Sequence, residues 1–219
     1  MRKNLVATAI ILLFVNIVSA QNIRLGFTGG LTYSNMLEKV GGENSHGKFK
    51  IGGTYGALVD APMQKNGSFQ IGVSFTQKGS KNETGSGSDL EKINTRLNYI
   101  EIPANVVFKF GKSNGKFLIG AGAAVALGVS GNSTLESGGT EVDKDINYGN
   151  KNDDDFKTVD FGANFLTGYE FNSGFFIALN YTHGINSLFV SGPDADKLLN
   201  QYFGLRIGYF IKGDDKGKK

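Results

Sequence analysis

The chain contains no cysteine and no tryptophan, and it has only two histidines and three prolines among its 219 residues. The absence of cysteine excludes disulfide scaffolds, thiolate-bound zinc, iron–sulfur clusters and thiol catalysis. Two histidines are too few for a histidine-rich metal centre, and three prolines are too few for a Pro/Gly linker. After the first twenty residues, no apolar run approaches the ~20 residues that a transmembrane helix needs.

The charges give no sign of a nucleic-acid ligand. Lysine and arginine total 23 and the acidic residues total 20, and the first twenty residues contain Arg2 and Lys3 but no acidic residue. The remainder is therefore almost neutral, and its basic residues form no cluster except at the extreme C-terminus. We expect no nucleic acid among the partners.

The first twenty residues have the three parts of a secretory signal peptide. Arg2 and Lys3 form the positive start, residues 5–18 are mostly apolar, and the small residues of 18–20 precede Gln21. We predict cleavage between Ala20 and Gln21. The alternative is an N-terminal membrane anchor, but an apolar run of ~14 residues is short for a span. The missing cysteine at the cleavage site argues against a lipoprotein.

The rest of the chain alternates between apolar and polar residues with the two-residue period of β-strands. Aromatic residues are abundant, with 17 Phe and 8 Tyr, and glycine is nearly twice as frequent as usual, at 32 residues. The alternation predicts eight strands, which occupy residues 23–36, 50–60, 68–78, 96–110, 116–130, 157–171, 175–184 and 201–211. Each is as long as a membrane-crossing strand, which needs ~9–11 residues.

The connections between these strands alternate in length. Three are short and carry turn formers such as Asn and Gly, at residues 61–67, 111–115 and 172–174. Four are long and polar, at residues 37–49, 80–95, 131–156 and 186–200. Up-and-down strands place all long loops at one rim, which is the outer-membrane pattern of short periplasmic turns and long external loops. We therefore predict an all-β fold, an eight-stranded antiparallel up-and-down transmembrane β-barrel.

The bulk of the apolar face decides which way it points. A soluble lipocalin-like barrel shows the same alternation with its apolar side inward, so the period alone leaves that alternative open. An eight-stranded barrel has room inside only for modest side chains or one small ligand. About sixteen aromatic residues share the apolar face, among them Phe27, Phe69, Phe108, Phe161, Phe165 and Phe203. They overfill such an interior at normal packing density, so we expect this face to contact lipid.

Six charged residues fall on the opposite, inward face, with three of each sign. They are Arg24, Glu101, Lys109, Asp160, Glu170 and Arg206. Buried charges must be paired, so we predict salt bridges that fill and stiffen the lumen. The alternative is a conducting path or a proton relay, although balanced signs argue against an ion-selective pore.

Three stretches resemble the PorT-like outer-membrane β-barrel family of Gram-negative bacteria. They are residues 26–35, residues 97–103 (LNYIEIP) and residues 181–188 (YTHGINSL). The resemblance implies an eight-stranded outer-membrane barrel, usually of unassigned activity, although one member serves a protein-secretion system. Pro103 within the second stretch predicts a bend or bulge, because proline removes a ladder donor. The polar tail after Phe210 departs from the family, whose barrels usually end close to an aromatic residue.

Two further groups of residues carry weaker signals. Residues 143–149, followed by Asp153, Asp154 and Asp155, distantly match a calcium loop, but the glycine is misplaced and the twelfth position is not glutamate. We expect a disordered acidic loop there and no metal. His183 and Ser187 fall near the external rim, but without an acid partner they do not make a convincing hydrolase, and His46 has no visible partner.

These observations combine into one interpretation. We expect a signal peptide at 1–20, a barrel at 21–212 and a polar tail at 213–219. The barrel is a monomer with a structural or surface-interaction role, without catalytic residues and without cofactor. Its partners are outer-membrane lipid, the barrel assembly machinery during biogenesis and an unknown external ligand or protein bound by the loops. The alternatives are a narrow channel or secretion accessory, a lipid-active enzyme, and a soluble binding barrel.

Overall fold

The computed structural model describes residues 23–63, 66–85, 91–111, 114–191 and 196–211. The predicted signal peptide, its cleavage site at Ala20 and Gln21, and the polar tail at 213–219 lie outside this part of the chain. Within it, no helix is long and apolar enough to cross a membrane.

Eight long antiparallel strands close into a barrel. In chain order they are β1 (Arg24–Val40), β3 (Lys50–Pro62), β4 (Gly67–Thr84), β5 (Glu91–Phe110), β6 (Gly115–Ser137), β10 (Val159–Phe171), β11 (Phe175–Gly184) and β12 (Lys197–Ile211). Each pairs with the next, and β12 returns to β1 with Ile211 opposite Leu25. Closure gives every spanning strand two hydrogen-bonded neighbours. A backbone in the hydrocarbon core of a membrane needs them, because no water is there to pair with its N–H and C=O groups. The predicted eight-stranded up-and-down barrel is confirmed.

Four short strands belong to the long connections. They are β2 (Glu43–His46), β7 (Thr140–Asp145), β8 (Tyr148–Gly149) and β9 (Phe156–Lys157). β2 pairs with the end of β1, β7 pairs with the end of β6, and β8 pairs with β9 in parallel. All four lie at the one rim of the barrel that carries the long connections. The predicted alternation of loop lengths places the long connections at a single rim.

The expectation of a disordered acidic loop is wrong for residues 143–149, which lie partly in β7 and β8. β6 continues to Ser137 and turns back into β7 through Gly138 and Gly139, which have φ of 56° and 80°. Left-handed backbone at two successive residues suits glycine and makes a tight hairpin. The sequence signal was weak because this hairpin is mostly polar on both faces, so the apolar alternation that marks the other strands is missing.

The large apolar side chains face outward, as predicted. The outward rings on opposite sides of the barrel are about half exposed, for example Phe27 at 55% and Phe165 at 54%. The inward face carries small and polar residues, but it also buries four rings that the sequence interpretation did not place there, those of Tyr99, Phe176, Tyr202 and Phe210. Interior glycines make room for these rings, because a Cβ at Gly208 would overlap Phe176 and one at Gly26 would overlap Phe210.

β5 carries two separate irregularities. Its register against β6 shifts between Asn98 and Tyr99. Against β4, pairing is interrupted where Gly72 and Val73 face Pro103 and Ile102, and it resumes in the same register. Pro103 has no N–H to donate to β4, so the interruption follows from its chemistry. The bulge thus lies four residues before Pro103, and the proline marks a local loss of pairing.

We predict that Phe165→Arg, in the middle of β10, destabilises the barrel by about 2–4 kcal/mol, the cost of a cation facing the bilayer midplane. The measurement is urea unfolding in lipid vesicles, followed by the mobility difference between folded and heated barrels on gels. Phe165→Leu is the matched control and keeps the apolar contact with lipid. Equal midpoints for the two variants would contradict an outward, lipid-facing Phe165.

Candidate functional site

The interior of the barrel holds two separate clusters of ion pairs. The first, here called the turn-end network, lies near the short turns and consists of Arg24, Asp60, Lys109 and Glu170. Arg24 Nη2 is 2.5 Å from Asp60 Oδ2 and 3.0 Å from Glu170 Oε2. Lys109 Nζ is 2.8 Å from the same Asp60 oxygen and 3.2 Å from Glu170 Oε2. The two cations bridge the two carboxylates crosswise, so four different strands are tied together.

The ring of Phe210 supports the turn-end network from within the barrel. The Arg24 guanidinium carbon is 4.4 Å from its centroid, and Lys109 Nζ is 5.6 Å from it. The face of an aromatic ring attracts cations, and a flat ring takes up little of the width of the lumen. The fully buried Asp60 also accepts a hydrogen bond from Gln70 Nε2 at 3.0 Å, so both oxygens of this carboxylate have partners.

The second cluster, here called the loop-end network, consists of Lys78, Glu101, Asp160 and Arg206. Lys78 Nζ lies 2.8 Å from Glu101 Oε2 and 3.3 Å from Asp160 Oδ2, and its side chain is 3% exposed. Arg206 Nη2 is 3.6 Å from Glu101 Oε1. Two neutral side chains complete the network, since Tyr202 donates its hydroxyl to Glu101 and Asn200 Nδ2 donates to Asp160 at 2.9 Å.

Each network joins two cations to two carboxylates, so each is formally neutral. Neutrality is what a narrow interior requires, because an unpaired buried ion costs several kcal/mol. All six charged residues assigned to the lumen from the sequence face the interior and divide between the two networks. Asp60 and Lys78 were missed because they fall at the ends of the predicted strands. Following the two-residue alternation of the third predicted strand, 68–78, to its last residue would have placed Lys78 inward.

An apolar cluster closes the barrel beyond the loop-end network. The long connections fold over the rim and contribute Ile146, Tyr148, Phe156, Leu188 and Phe189, which pack on strand residues. The strand residues of this mouth cluster are Met36, Leu97, Tyr99, Ala126 and Leu198. The Tyr148 ring meets Tyr99 edge-on, with centroids 5.7 Å apart. The cluster removes these side chains from water and seals the external mouth.

Glycine and aspartate hold the Tyr148 segment in place. Gly128 lies under the Tyr148 ring, where an added Cβ would overlap the ring carbons. Asp155 accepts hydrogen bonds from the Asn147 N–H at 2.9 Å and from Lys144 Nζ at 2.5 Å. The backbone hydrogen bond and the ammonium hold the pKa of Asp155 below its usual range, so the carboxylate is charged at neutral pH. The acidic segment thus supplies braces for the mouth cluster.

The same acidic residues were weighed as calcium ligands. In the described ranges, no three His, Cys, Asp or Glu side chains are grouped as a metal site would need. Asp154 instead accepts a hydrogen bond from the Lys151 N–H at 2.8 Å. The absence of a metal from this protein stays a prediction.

His183 and Ser187 make separate contacts. His183 Nδ1 is 3.1 Å from the Tyr181 hydroxyl on the outer face of β11, while Ser187 Oγ accepts hydrogen bonds from the N–H groups of Phe189 and Leu198, each at 3.2 Å. The described side chains show no hydrogen bond between the two, and His46 lies exposed in β2. A Ser–His pair needs that bond for nucleophile activation, so the geometry does not assemble one.

A closed antiparallel ring with an apolar exterior and a polar, paired interior defines an integral outer-membrane β-barrel. The chain belongs to the outer membrane protein beta-barrel domain family, whose model matches residues 19–190. The protein is therefore an outer-membrane protein. No match was found among curated protein sequences.

The chain is similar, at low identity, to several solved structures of outer-membrane proteins. Ail, the attachment invasion locus protein of Yersinia pestis, is 14% identical over 85% of this chain and 98% of its own, with a TM-score of 0.38. The outer membrane enzyme PagL is 16% identical over 82% and 99%, with a TM-score of 0.40. The outer membrane protease OmpT from Escherichia coli is 11% identical over 88% and 98%, with a TM-score of 0.44.

We predict that Lys78→Met destabilises the barrel by about 3–5 kcal/mol, because Asp160 then loses its cation and Glu101 keeps only its longer contact with Arg206. Lys92→Met is the matched control, since Lys92 and Glu136 form a pair that is half exposed, worth less than about 1 kcal/mol. Urea unfolding in lipid vesicles measures both. A Lys78 variant as stable as the control would show that the network is not needed for stability.

We predict that Gly128→Val displaces Tyr148 and opens the 146–158 segment to trypsin, which cleaves after Lys151. The measurement is the cleavage rate of the folded barrel in detergent. Gly29→Val is the control, because the nearest atom to an added Cβ at Gly29 is 3.9 Å away. Unchanged cleavage in the Gly128 variant would mean that Tyr148 is not held at the mouth by this contact.

Proposed function

We propose that this protein is a sealed, non-conducting barrel that anchors a rigid β-sheet at the cell surface for contact with external partners. The observation that carries the proposal is the blocked lumen: two ion-pair networks fill it at two levels, and the mouth cluster covers its external end. A barrel blocked in this way has no path for solutes. Its outer face contacts lipid, so the external rim is the surface left for a specific role.

The surface element is an extension of three barrel strands beyond the rim. β4 runs to Thr84, β5 begins at Glu91, and β6 runs to Ser137, where β7 adds a fourth strand. Here this sheet is called the external extension. Its strands are paired throughout, so side chains on it are held in fixed positions. Rigid display of side chains favours binding because little entropy is lost on contact.

One face of the external extension carries an exposed apolar row. Ile93, Leu135 and Val142 lie side by side across β5, β6 and β7, and they are 40%, 37% and 57% exposed. The opposite face of the same strands carries a charged row formed by Lys92, Glu136 and Glu141. Adjacent exposed apolar side chains on a polar surface favour a contact site for a partner.

The alternatives have weaker support. A channel or secretion accessory needs an opening that the networks and the mouth cluster oppose. A lipid-active enzyme needs an assembled nucleophile and base, and His183 and Ser187 make separate contacts. The finer kinship to the PorT-like family rests on the three sequence stretches, of which residues 97–103 supply Leu97, Tyr99 and Glu101 to the interior. We also infer export by the predicted signal peptide, insertion by the barrel assembly machinery and a monomeric state.

We predict that the purified barrel shows no single-channel conductance in planar bilayers. The physical reason is that, among the described residues, the loop-end network around Lys78 and the mouth cluster occupy the lumen. A matched preparation of a known porin controls for insertion. Stable conductance steps from the wild-type barrel would overturn the sealed lumen and favour the channel alternative.

Adhesion of cells that display the protein tests the surface role. The apolar-row variant, in which Ile93, Leu135 and Val142 become serine, should lower attachment to protein-, polysaccharide- or lipid-coated surfaces several-fold. The charged-row variant, in which Lys92, Glu136 and Glu141 become glutamine, is the control on the same strands. Gel mobility verifies that both barrels fold. If cells with and without the wild-type protein attach equally to every surface, the proposed role fails.

A further inference from the structure

One buried cation at the external end of the barrel has no acidic partner in the part of the chain that the structure describes. Lys50, the first residue of β3, is only 6% exposed. Its ammonium donates a hydrogen bond to the amide oxygen of Asn94 on β5, which is a neutral acceptor. In the two ion-pair networks, by contrast, every cation contacts at least one carboxylate. A buried ammonium without an anion is unfavourable, so a negatively charged group beside Lys50 would relieve that cost.

Two further cations lie beside the Asn94 amide. Lys81 is directly opposite Asn94 in the pairing of β4 with β5. Arg96 lies two residues further along β5, on the same face as Asn94, and the residue opposite it is Gly79, which has no side chain. The charges of Lys81 and Arg96 both act on the Lys50 ammonium. The three cations are therefore gathered around one amide, and they are here called the rim cation cluster.

The neighbouring carboxylates do not balance the rim cation cluster. Glu83 forms its ion pair with Lys48, and it experiences the charge of Lys81 only at longer range. Glu136, in the next row across the strands, forms its ion pair with Lys92. Among the described residues, no member of the cluster has a carboxylate within ion-pair distance. Because like charges repel, this excess of positive charge favours the binding of an anion.

The donors around the Asn94 amide fit a phosphate monoester. The Lys50 ammonium uses one of its three N–H groups for Asn94, and two are left for a ligand. Within the described ranges, Lys81 and Arg96 add an ammonium and a guanidinium that make no hydrogen bond to protein. A phosphate monoester carries about −1.5 to −2 charges and three acceptor oxygens, which suits three separate cations. A carboxylate has a single charge and two oxygens, so it would leave more of the positive charge unbalanced.

We propose that the rim cation cluster, together with the amide of Asn94, is a binding site for the phosphate monoester group of an external ligand. Arg96 lies on the same face of β5 as the outward Ile102, so the site is on the outer side of the barrel wall at the external rim. Both a lipid headgroup and a soluble phosphorylated molecule can reach that position. The apolar row lies on the opposite face of β5, so failure of the adhesion test and failure of this site are distinguishable.

Titration of the folded barrel with glucose 6-phosphate tests the site for a soluble ligand. The barrel is held in maltoside micelles, which contain no phosphate, and calorimetry compares glucose 6-phosphate with glucose at equal ionic strength. Lys50→Met and Arg96→Gln should each raise the dissociation constant about tenfold or more, as for the loss of a hydrogen bond to a charged group. Lys92→Gln is the matched control, because it removes a paired cation from the same face of β5 and should leave the constant nearly unchanged.

Vesicles test the site for a lipid headgroup. The barrel is reconstituted in phosphatidylcholine that contains phosphatidic acid, whose headgroup is a phosphate monoester, and phosphorus NMR follows that headgroup. A shift caused by the wild-type and Lys92→Gln barrels, but not by the Lys50→Met barrel, assigns the phosphate to a lipid. Binding of glucose 6-phosphate alone assigns it to a soluble partner. Gel mobility verifies that each variant folds. If the wild type binds neither phosphate, or if the Lys50 and Arg96 variants bind as well as the control, the proposal is overturned.

Discussion

The narrow circumference of an eight-stranded ring governs the rest of this structure. Because the bilayer requires an apolar exterior, the charged side chains of the spanning strands must fit inside a narrow cylinder. The interior therefore contains charged groups that pair across the lumen and four aromatic rings. Glycines on the inward face leave room for both. Lys78 illustrates the result, since it contacts two carboxylates from two other strands and is almost completely enclosed.

The ion-pair networks bind together strands that are distant in sequence. Arg24 at the start of β1 meets Asp60 on β3 and Glu170 on β10, and Lys109 on β5 contacts both of these carboxylates. Hydrogen bonds between neighbouring strands fix the wall of the barrel, whereas these contacts cross its interior. Removing one member leaves one buried charge in excess, so the energies of the members are coupled.

Most of the fold could be predicted from the sequence because a β-barrel repeats one pattern eight times. The period of two placed the outward rings, such as Phe161, and the inward charges, such as Glu101, without knowledge of the partners. The pattern failed at the β6–β7 hairpin, where Leu135 and Val142 stand among polar residues, so this segment was taken for a disordered loop. It also gave no warning of the inward ring of Phe210, which fits because Gly26 lies opposite it on the neighbouring strand. The pairing of the charges depends on the register and the tilt of strands that are distant in sequence. Neither the register nor the tilt can be read from the order of residues along the chain.

The turn between β6 and β7 has a practical value for protein engineering. Gly138 and Gly139 stand at the tip of the external extension, and an added Cβ at either one meets no atom within 4 Å. Exposed loop tips of this kind accept foreign sequence with little effect on the scaffold that carries them. An epitope or affinity tag grafted between these two residues would stand clear of the barrel wall, carried by the paired strands of the external extension.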